Sequence, residues 1–207
     1  MATTKIQAAP QTAKRSFSAG SVISAIGRWI VRNRIYLIAF AIPAVLTYLA
    51  YALFGLYPFG EESVLCLDLN GQYVYYFEAL RDAFWGDGSI FYNWSRNLSG
   101  EFMGIIGYYL ASPFTLIVML LPEKFMLSSL LIMQLCKLGA AGATFNYFLQ
   151  KRRGVQPYPS LLFSTMYAMM AYGVIQLIDP MWLDGLVFLP LIMPVSYTHL
   201  TLPTNSR

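Results

Sequence analysis

The chain alternates long apolar runs with short polar segments. Several runs carry no charge over about 20 residues, a length that crosses the roughly 30 Å hydrocarbon core of a bilayer as an α-helix. This pattern predicts membrane spans at about 35–54, 125–149 and 160–178, and an incomplete span at 186–193. The sequence therefore predicts an all-α integral membrane protein.

The charge distribution predicts how the first span is oriented. Residues 1–34 contain six basic residues and no acid, so the positive-inside rule places this tail in the cytoplasm and the loop at 57–124 outside. Within the tail, 21–34 is expected to form a short basic amphipathic helix on the membrane surface. The apolar run after it is too long for a signal peptide and no cleavage site follows, which indicates an uncleaved anchor.

The apolar run at 104–121 has two interpretations. If it spans the bilayer, the basic cluster Lys151–Arg153 lies on the outer face, against the positive-inside rule. If it lies along or dips into the outer interface, 125–149 becomes the second span and that cluster is cytoplasmic. Ser112-Pro113 also argues against a straight helix, and the interfacial interpretation is favoured.

The first outer loop contains the main candidate for chemistry. Residues 57–101 hold seven of the ten acidic residues and many aromatic ones. Asp68 precedes a predicted amphipathic helix, Gln72–Trp85, whose aromatic face is expected at headgroup depth. A carboxylate so placed can deprotonate an acceptor hydroxyl or hold a divalent cation. A solvated loop acid or a helix N-cap are the alternatives.

Lys137 lies in the middle of the predicted second span, where a charge costs at least about 2.5–3.5 kcal/mol. We expect its side chain to point into the bundle, toward a carboxylate or a lipid phosphate. A structural buried pair and a substrate contact both remain open. Gly139–Ala143, in the same span, offers small residues suited to close helix packing.

Other features narrow the class of protein. Cys66 and Cys136 are expected at unlike depths, which argues against a disulfide, and no Cys/His spacing typical of a metal site occurs. The net charge of +4 gives no reason to expect a nucleic-acid partner, because the basic residues flank predicted spans.

The C-terminal residues 194–207 end an apolar run abruptly. Val195–Leu200 resembles the translation of a transposon adapter used for sequencing libraries, so we expect 194–207 to be an adapter-derived artefact, with a natural polar tail as the alternative. On this interpretation His199 has no function, and the chain is an N-terminal fragment that lacks everything after Met193.

Four segments together resemble the YfhO family of bacterial multi-span membrane proteins. They are Asp68–Tyr73, Tyr108–Phe114, Lys137–Gly142, and Met181–Leu186 with Leu189–Leu191. The resemblance implies the N-terminal part of a GT-C-like transmembrane bundle, in which a long first extracytoplasmic loop carries interfacial helices. It matches Asp68 to the first-loop acid, the catalytic base or metal contact of that class.

The resemblance also implies substrate contacts. Asp179 and Asp184 are the candidates for second-loop acids, and the further candidate substrate-binding residues are Gln72, Tyr73 and Lys137. No cofactor is identified beyond a possible divalent cation at Asp68.

Two functions are compatible with these residues. The first is a multi-pass cell-membrane glycosyltransferase that moves a sugar from a polyprenyl-phosphate carrier, a membrane lipid, to an envelope glycopolymer such as lipoteichoic acid. The second is a non-catalytic transporter or lipid-handling scaffold. An N-terminal fragment of either is expected to be inactive by itself.

Overall fold

A computed structural model describes residues 19–95 and 100–200. The described part is almost entirely helical, which confirms the all-α prediction. One short antiparallel hairpin, with two residues in each strand, interrupts the helices. The elements are α1 (Ala19–Leu53), a π-helical turn (Leu69–Tyr73), α2 (Val74–Trp85), β1 (Tyr92–Asn93), β2 (Gly100–Glu101), α3 (Met103–Ile105), a second π-helical turn (Ile106–Leu110), α4 (Thr115–Leu120), a 3₁₀ turn (Glu123–Phe125), α5 (Met126–Arg153), α6 (Pro157–Ala168), α7 (Ala171–Ile175) and α8 (Pro180–Leu200).

Helix α1 is longer than the first predicted span. The expected surface helix at 21–34 and the span at 35–54 form one continuous 35-residue helix, with Pro43 inside it. No proline or helix-ending glycine separates the two segments in the sequence, so nothing terminates the first helix before the second begins. Residues 1–18 of the predicted tail lie outside the described residues.

Helices α1 and α5 are long and apolar enough to cross a membrane, over Val22–Leu53 and Glu123–Arg153. From Ile35 onward, α1 runs antiparallel to α5. The Tyr57 and Ser128 hydroxyls are 2.7 Å apart near one end, and the Tyr36 and Tyr147 ring centroids are 6.1 Å apart near the other. The chain thus returns along α5 to the end where this part of α1 began. The side of the membrane on which that end lies stays a prediction.

The small residues of α5 lie where α1 approaches most closely. A Cβ added at Gly142 would be 2.5 Å from the carbonyl oxygen of Ala39, and one at Gly139 would be 2.8 Å from that of Phe40. Only glycine leaves room for the two backbones at these positions. This confirms the packing role predicted for Gly139–Ala143.

The predicted third and fourth spans differ from the helices observed. The segment at 160–178 is not one helix, because α6 ends at Ala168, Met170 is extended, and α7 covers only Ala171–Ile175. Its uniform apolar composition gave no sign of this break. Helix α8 begins at Pro180 rather than near Leu186, since proline is well tolerated in the first turn of a helix.

The segment at 104–121 is also broken. It passes from α3 through the second π-helical turn to a non-helical Ala111–Phe114 stretch, and then into the six-residue α4. A helix of six residues is about 9 Å long, far less than the roughly 30 Å of a bilayer core. This geometry favours the interfacial interpretation, and the membrane position of the segment stays a prediction.

The predicted amphipathic helix is present as α2, which begins at Val74 after a π-helical turn. The sequence predicted that its apolar face contacts lipid headgroups, but most of that face packs inside the protein. Tyr73, Phe77 and Leu80 are buried in a core shared with α4 and the first turns of α5, whereas Phe84 is exposed. Burying these side chains removes more apolar area from water than a headgroup contact would.

Candidate functional site

The structure brings residues from all four sequence segments singled out above to one region. Asp68 lies in the loop at 57–124, Ser112 in the break before α4, Lys137 on α5, and Asp184 in the first turns of α8. Polar contacts join Ser112 and Lys137 to Asp184. Asp68 is connected to this region through Asp179, directly before α8.

Asp68 opens the π-helical turn that precedes α2. It makes no side-chain cap to that turn, so the helix N-cap alternative is wrong. Its Oδ1 instead accepts a hydrogen bond of 3.1 Å from Nε2 of Gln72, one turn later, and the residue is exposed. Gln72 therefore orients a carboxylate that solvent or a substrate can reach.

Asp179 lies directly before α8, half-buried, with its carboxyl group close to that of Asp68. Burial raises the pKa of Asp179 above its ordinary 3.8, and Asp68 raises it further through its charge and a hydrogen bond between the two carboxyl groups. Both effects disfavour the charged form, so protonation of Asp179 is favoured. The structure thus joins the first-loop acid to one of the two candidate second-loop acids.

Tyr73 presents a buried hydroxyl to this pair. The residue is fully buried, and its hydroxyl has no hydrogen-bond partner among the described residues. Burial raises the pKa of the Tyr73 hydroxyl, and the charge of Asp179 raises it further. The nearby backbone amide of Met181 lowers this pKa, although it does not meet hydrogen-bond geometry. A buried donor left unpaired is costly, so a nearby acceptor for this hydroxyl would be stabilising.

Lys137 is 1% exposed, and its Nζ donates to the Pro180 carbonyl and to Oδ1 of Asp184, each at 2.8 Å. The Ser112 hydroxyl donates to the same carboxylate oxygen at 3.0 Å. The ammonium also lies 5.5 Å from the centre of the Phe114 ring. Of the two options left open for Lys137, the structure shows a buried pair with a carboxylate.

The Lys137–Asp184 pair has a geometric consequence for Asp179. By holding both the Pro180 carbonyl and the Asp184 side chain, Lys137 fixes the first turn of α8 against α5. Gln134 extends the same connection, because its Nε2 donates to the Leu177 carbonyl at 2.8 Å. Asp179 therefore lies between two residues whose backbone carbonyls are held by α5, Leu177 and Pro180.

A metal ion at this site would have few protein ligands. The described part of the chain contains no group of three or more His, Cys, Asp or Glu side chains arranged for a metal. Asp68 and Asp179 supply two carboxylates, and Mg²⁺ is often bound through one or two carboxylates together with water and substrate phosphates. Cys66 and Cys136 are both free, as the sequence predicted.

Two cavities lie near these residues. One, of about 330 Å³, is lined by Cys66 and Ile178, which are close in sequence to Asp68 and Asp179. The other, of about 590 Å³, lies along α2 and has Gly71 at its edge, but neither Asp68 nor Asp179 lines it. The described residues that line either cavity include neither Asp68 nor Asp179, so the carboxyl pair lies beside the cavities.

Sequence reasoning missed two parts of this arrangement. It did not identify Ser112 as a polar contact, and it did not pair Lys137 with Asp184. The only sequence signal for the pair was the position of a lysine in mid-span, which required some acceptor but did not say which.

A family model described as bacterial membrane protein YfhO matches residues 39–194. No curated protein and no solved structure matches the chain significantly.

Proposed function

Since the chain belongs to the YfhO family of bacterial membrane proteins, we propose that it carries the first-loop site of a membrane glycosyltransferase. The sugar donor is a polyprenyl-phosphate-linked sugar, and the acceptor is an extracytoplasmic envelope glycopolymer such as lipoteichoic acid. The observation that carries the proposal is the pairing of exposed Asp68 with half-buried Asp179 beside an unpaired tyrosine hydroxyl.

In this mechanism Asp68 is the general base. An acceptor hydroxyl oxygen attacks the anomeric carbon of the carrier-linked sugar while the bond from that carbon to the phosphate oxygen breaks. The carrier phosphate leaves with the electron pair, and Asp68 takes the proton of the acceptor hydroxyl. Gln72 orients Asp68 for this step through its 3.1 Å hydrogen bond.

Asp179 and Tyr73 complete the site. The raised pKa of Asp179 favours its protonated form, which lets its carboxyl group donate a hydrogen bond to Asp68 or to a substrate oxygen. The buried Tyr73 hydroxyl supplies a further donor for a sugar or phosphate oxygen. A divalent cation would be held by Asp68 and Asp179 and would neutralise the carrier phosphate.

We assign Lys137 and Asp184 positioning roles. A direct contact between Lys137 and the carrier phosphate would require its buried bond to Asp184 to break, which leaves a carboxylate unpaired. The pair instead fixes the first turn of α8, and with it Asp179.

Asp68→Asn tests the assignment of the base. Because the amide cannot accept the proton, transfer of sugar from a polyprenyl-phosphate donor to lipoteichoic acid by the full-length protein in membranes should fall by about 10²–10⁴-fold at unchanged expression. The matched control is Asp87→Asn, which removes another exposed acid of the same outer segment.

Near-wild-type transfer by the Asp68→Asn protein would contradict the proposal. The transporter or scaffold alternative predicts movement of the intact lipid-linked sugar across the membrane without release of the free carrier phosphate. Product analysis of the same membranes separates the two, because only the transferase releases that phosphate.

A further inference from the structure

The cavity of about 590 Å³ is bordered by one exposed face of α2. Tyr75, Glu78, Asp82 and Trp85 are spaced i, i+3, i+7 and i+10, which places them on one side of the helix, opposite the face buried in the core. Two aromatic rings therefore bracket two carboxylates along one wall. Asn93 and Glu123 add an amide and a third carboxylate to the lining.

The aromatic rings are exposed although one of them is held in place. Trp85 is 70% exposed and Tyr75 is 59% exposed. The indole Nε1 of Trp85 nevertheless donates a 3.1 Å hydrogen bond to the Met119 carbonyl of α4. Rigid, exposed aromatic surface loses little freedom when a ligand stacks on it.

The carboxylates are available as acceptors. No hydrogen bond or ion pair within residues 19–95 and 100–200 engages the side chains of Glu78 or Asp82. Arg81, the one cation among the described lining residues, donates instead to carbonyls of α4 that include Val118 at 2.7 Å. Among the described residues, the free groups of the cleft are thus mainly anionic acceptors, which repel phosphate and receive hydrogen bonds from hydroxyl groups.

We propose that this cleft binds an uncharged glycan. Its sugar rings stack on Tyr75 and Trp85, and their hydroxyl groups donate to Glu78 and Asp82. The volume lies within the roughly 300–1,000 Å³ typical of ligand sites. The site binds neutral sugar residues of an acceptor and does not bind a polyanionic glycerol-phosphate backbone.

The cleft is connected to the carboxyl pair by packed aromatic rings. Tyr76 lines the cleft and lies 5.1 Å from Tyr109, centroid to centroid, and Tyr109 lies 5.5 Å from Tyr73. Gly71, at the edge of the cleft, belongs to the turn that Asp68 opens. The cleft therefore lies beside the turn that Asp68 opens, and the role of its glycan as acceptor rests on the proposed function.

The test measures binding of two uncharged oligosaccharides, maltotriose and N,N′,N″-triacetylchitotriose, and of poly(glycerol phosphate) to the full chain in detergent. At least one neutral oligosaccharide should bind. Tyr75→Ala and the double variant Glu78→Gln/Asp82→Asn should each weaken that binding by about tenfold or more. Phe84→Ala is the matched control, because Phe84 is an α2 aromatic of similar exposure, 62%, that does not line the cleft.

The proposal is overturned if neither neutral oligosaccharide binds, if Tyr75→Ala binds like the Phe84→Ala control, or if poly(glycerol phosphate) binds more tightly than both. The double variant guards against misfolding, since it changes only exposed, isosteric groups. Binding should persist in Asp68→Asn. If the glycan binds but transfer does not depend on Asp68, the proposed function fails while the glycan site stands.

Discussion

At the residue scale, the site depends on two acid–partner pairs with different chemistry. Lys137 and Asp184 neutralise each other in a buried position and are held in place by further hydrogen bonds. Asp68 and Asp179 are two acids with no cation between them among the described side chains, so their interaction depends on a proton. The first pair gives the region its geometry, and the second gives it a group that changes charge with pH.

Asp179→Asn should make the protein less sensitive to pH. Because the folded state raises the pKa of Asp179 above 3.8, this group favours folding most at acid pH, and that contribution is lost as the pH rises through the raised pKa. The asparagine variant lacks this titration. Relative to wild type, it should therefore gain stability as the pH is raised from below 4 to neutrality.

The measurement is the thermal unfolding midpoint in detergent at a series of pH values, with Asp87→Asn as the exposed-acid control. Parallel curves for wild type and Asp179→Asn would show that folding does not raise the pKa of Asp179.

At the element scale, α5 organises the fold. Its glycine-bearing side faces α1, and it also packs against α4, α6 and α8. Helix α2 is tied to α4 by the Arg81 and Trp85 hydrogen bonds to carbonyl groups near the end of α4, where cationic and N–H donors are favourable. The broken segment at 104–121 is thus fixed to the protein by side-chain contacts.

Gly142→Ala should destabilise the protein. The added methyl group would lie 2.5 Å from the Ala39 carbonyl oxygen and 3.0 Å from Cγ of Pro43, so α1 and α5 must move apart. Such overpacking costs about 1–3 kcal/mol. The control is Gly185→Ala in α8, where nothing lies within 4 Å of the new Cβ.

Both variants replace a helical glycine, so both gain up to about 1 kcal/mol of helix propensity. Thermal unfolding in detergent should show a lower midpoint for Gly142→Ala and an unchanged or higher one for Gly185→Ala. Equal midpoints would mean that α1 and α5 do not approach each other as closely as described.

At the scale of the whole molecule, two antiparallel candidate spans flank the segment at 57–124 in the chain. The basic end of α5 lies beside the Ile35 end of the antiparallel part of α1, as the positive-inside argument requires for two successive spans. The carboxyl groups lie toward the opposite end of α5. Because the two spans are antiparallel, the orientation of α1 decides on which side of the membrane Asp68 lies.

Cys66 provides a native probe of that orientation. It is exposed and two residues before Asp68. In a Cys136→Ser background, a membrane-impermeant maleimide should label Cys66 in intact cells if the loop is extracytoplasmic. In a Cys66→Ser/Cys136→Ser background, a cysteine placed at the exposed Gln156 beyond α5 should be labelled only after permeabilisation. The reverse labelling pattern would place the loop at 57–124 in the cytoplasm.

The sequence by itself determined the class of protein and the positions of the two long helices. Apolar runs of bilayer length and the distribution of charge are local properties, and they predicted α1, α5 and α2 because no long-range contact is needed to read them. The same properties selected Asp68 and Lys137 as unusual, and the family resemblance added Asp179 and Asp184 as candidates. The family match over residues 39–194 agrees with the resemblance seen in the sequence.

Only the tertiary structure decided how those residues are paired. Lys137 could have faced a phosphate or any acid, and Asp68 could have capped its own helix. Which partner each side chain meets depends on the helix packing that brings distant segments together, and here it joins Lys137 to Asp184 and Asp68 to Asp179. The breaks in 104–121 and 160–178, and the burial of the α2 aromatic face, have the same origin. Packing against neighbouring elements outweighs the local apolar pattern in these segments.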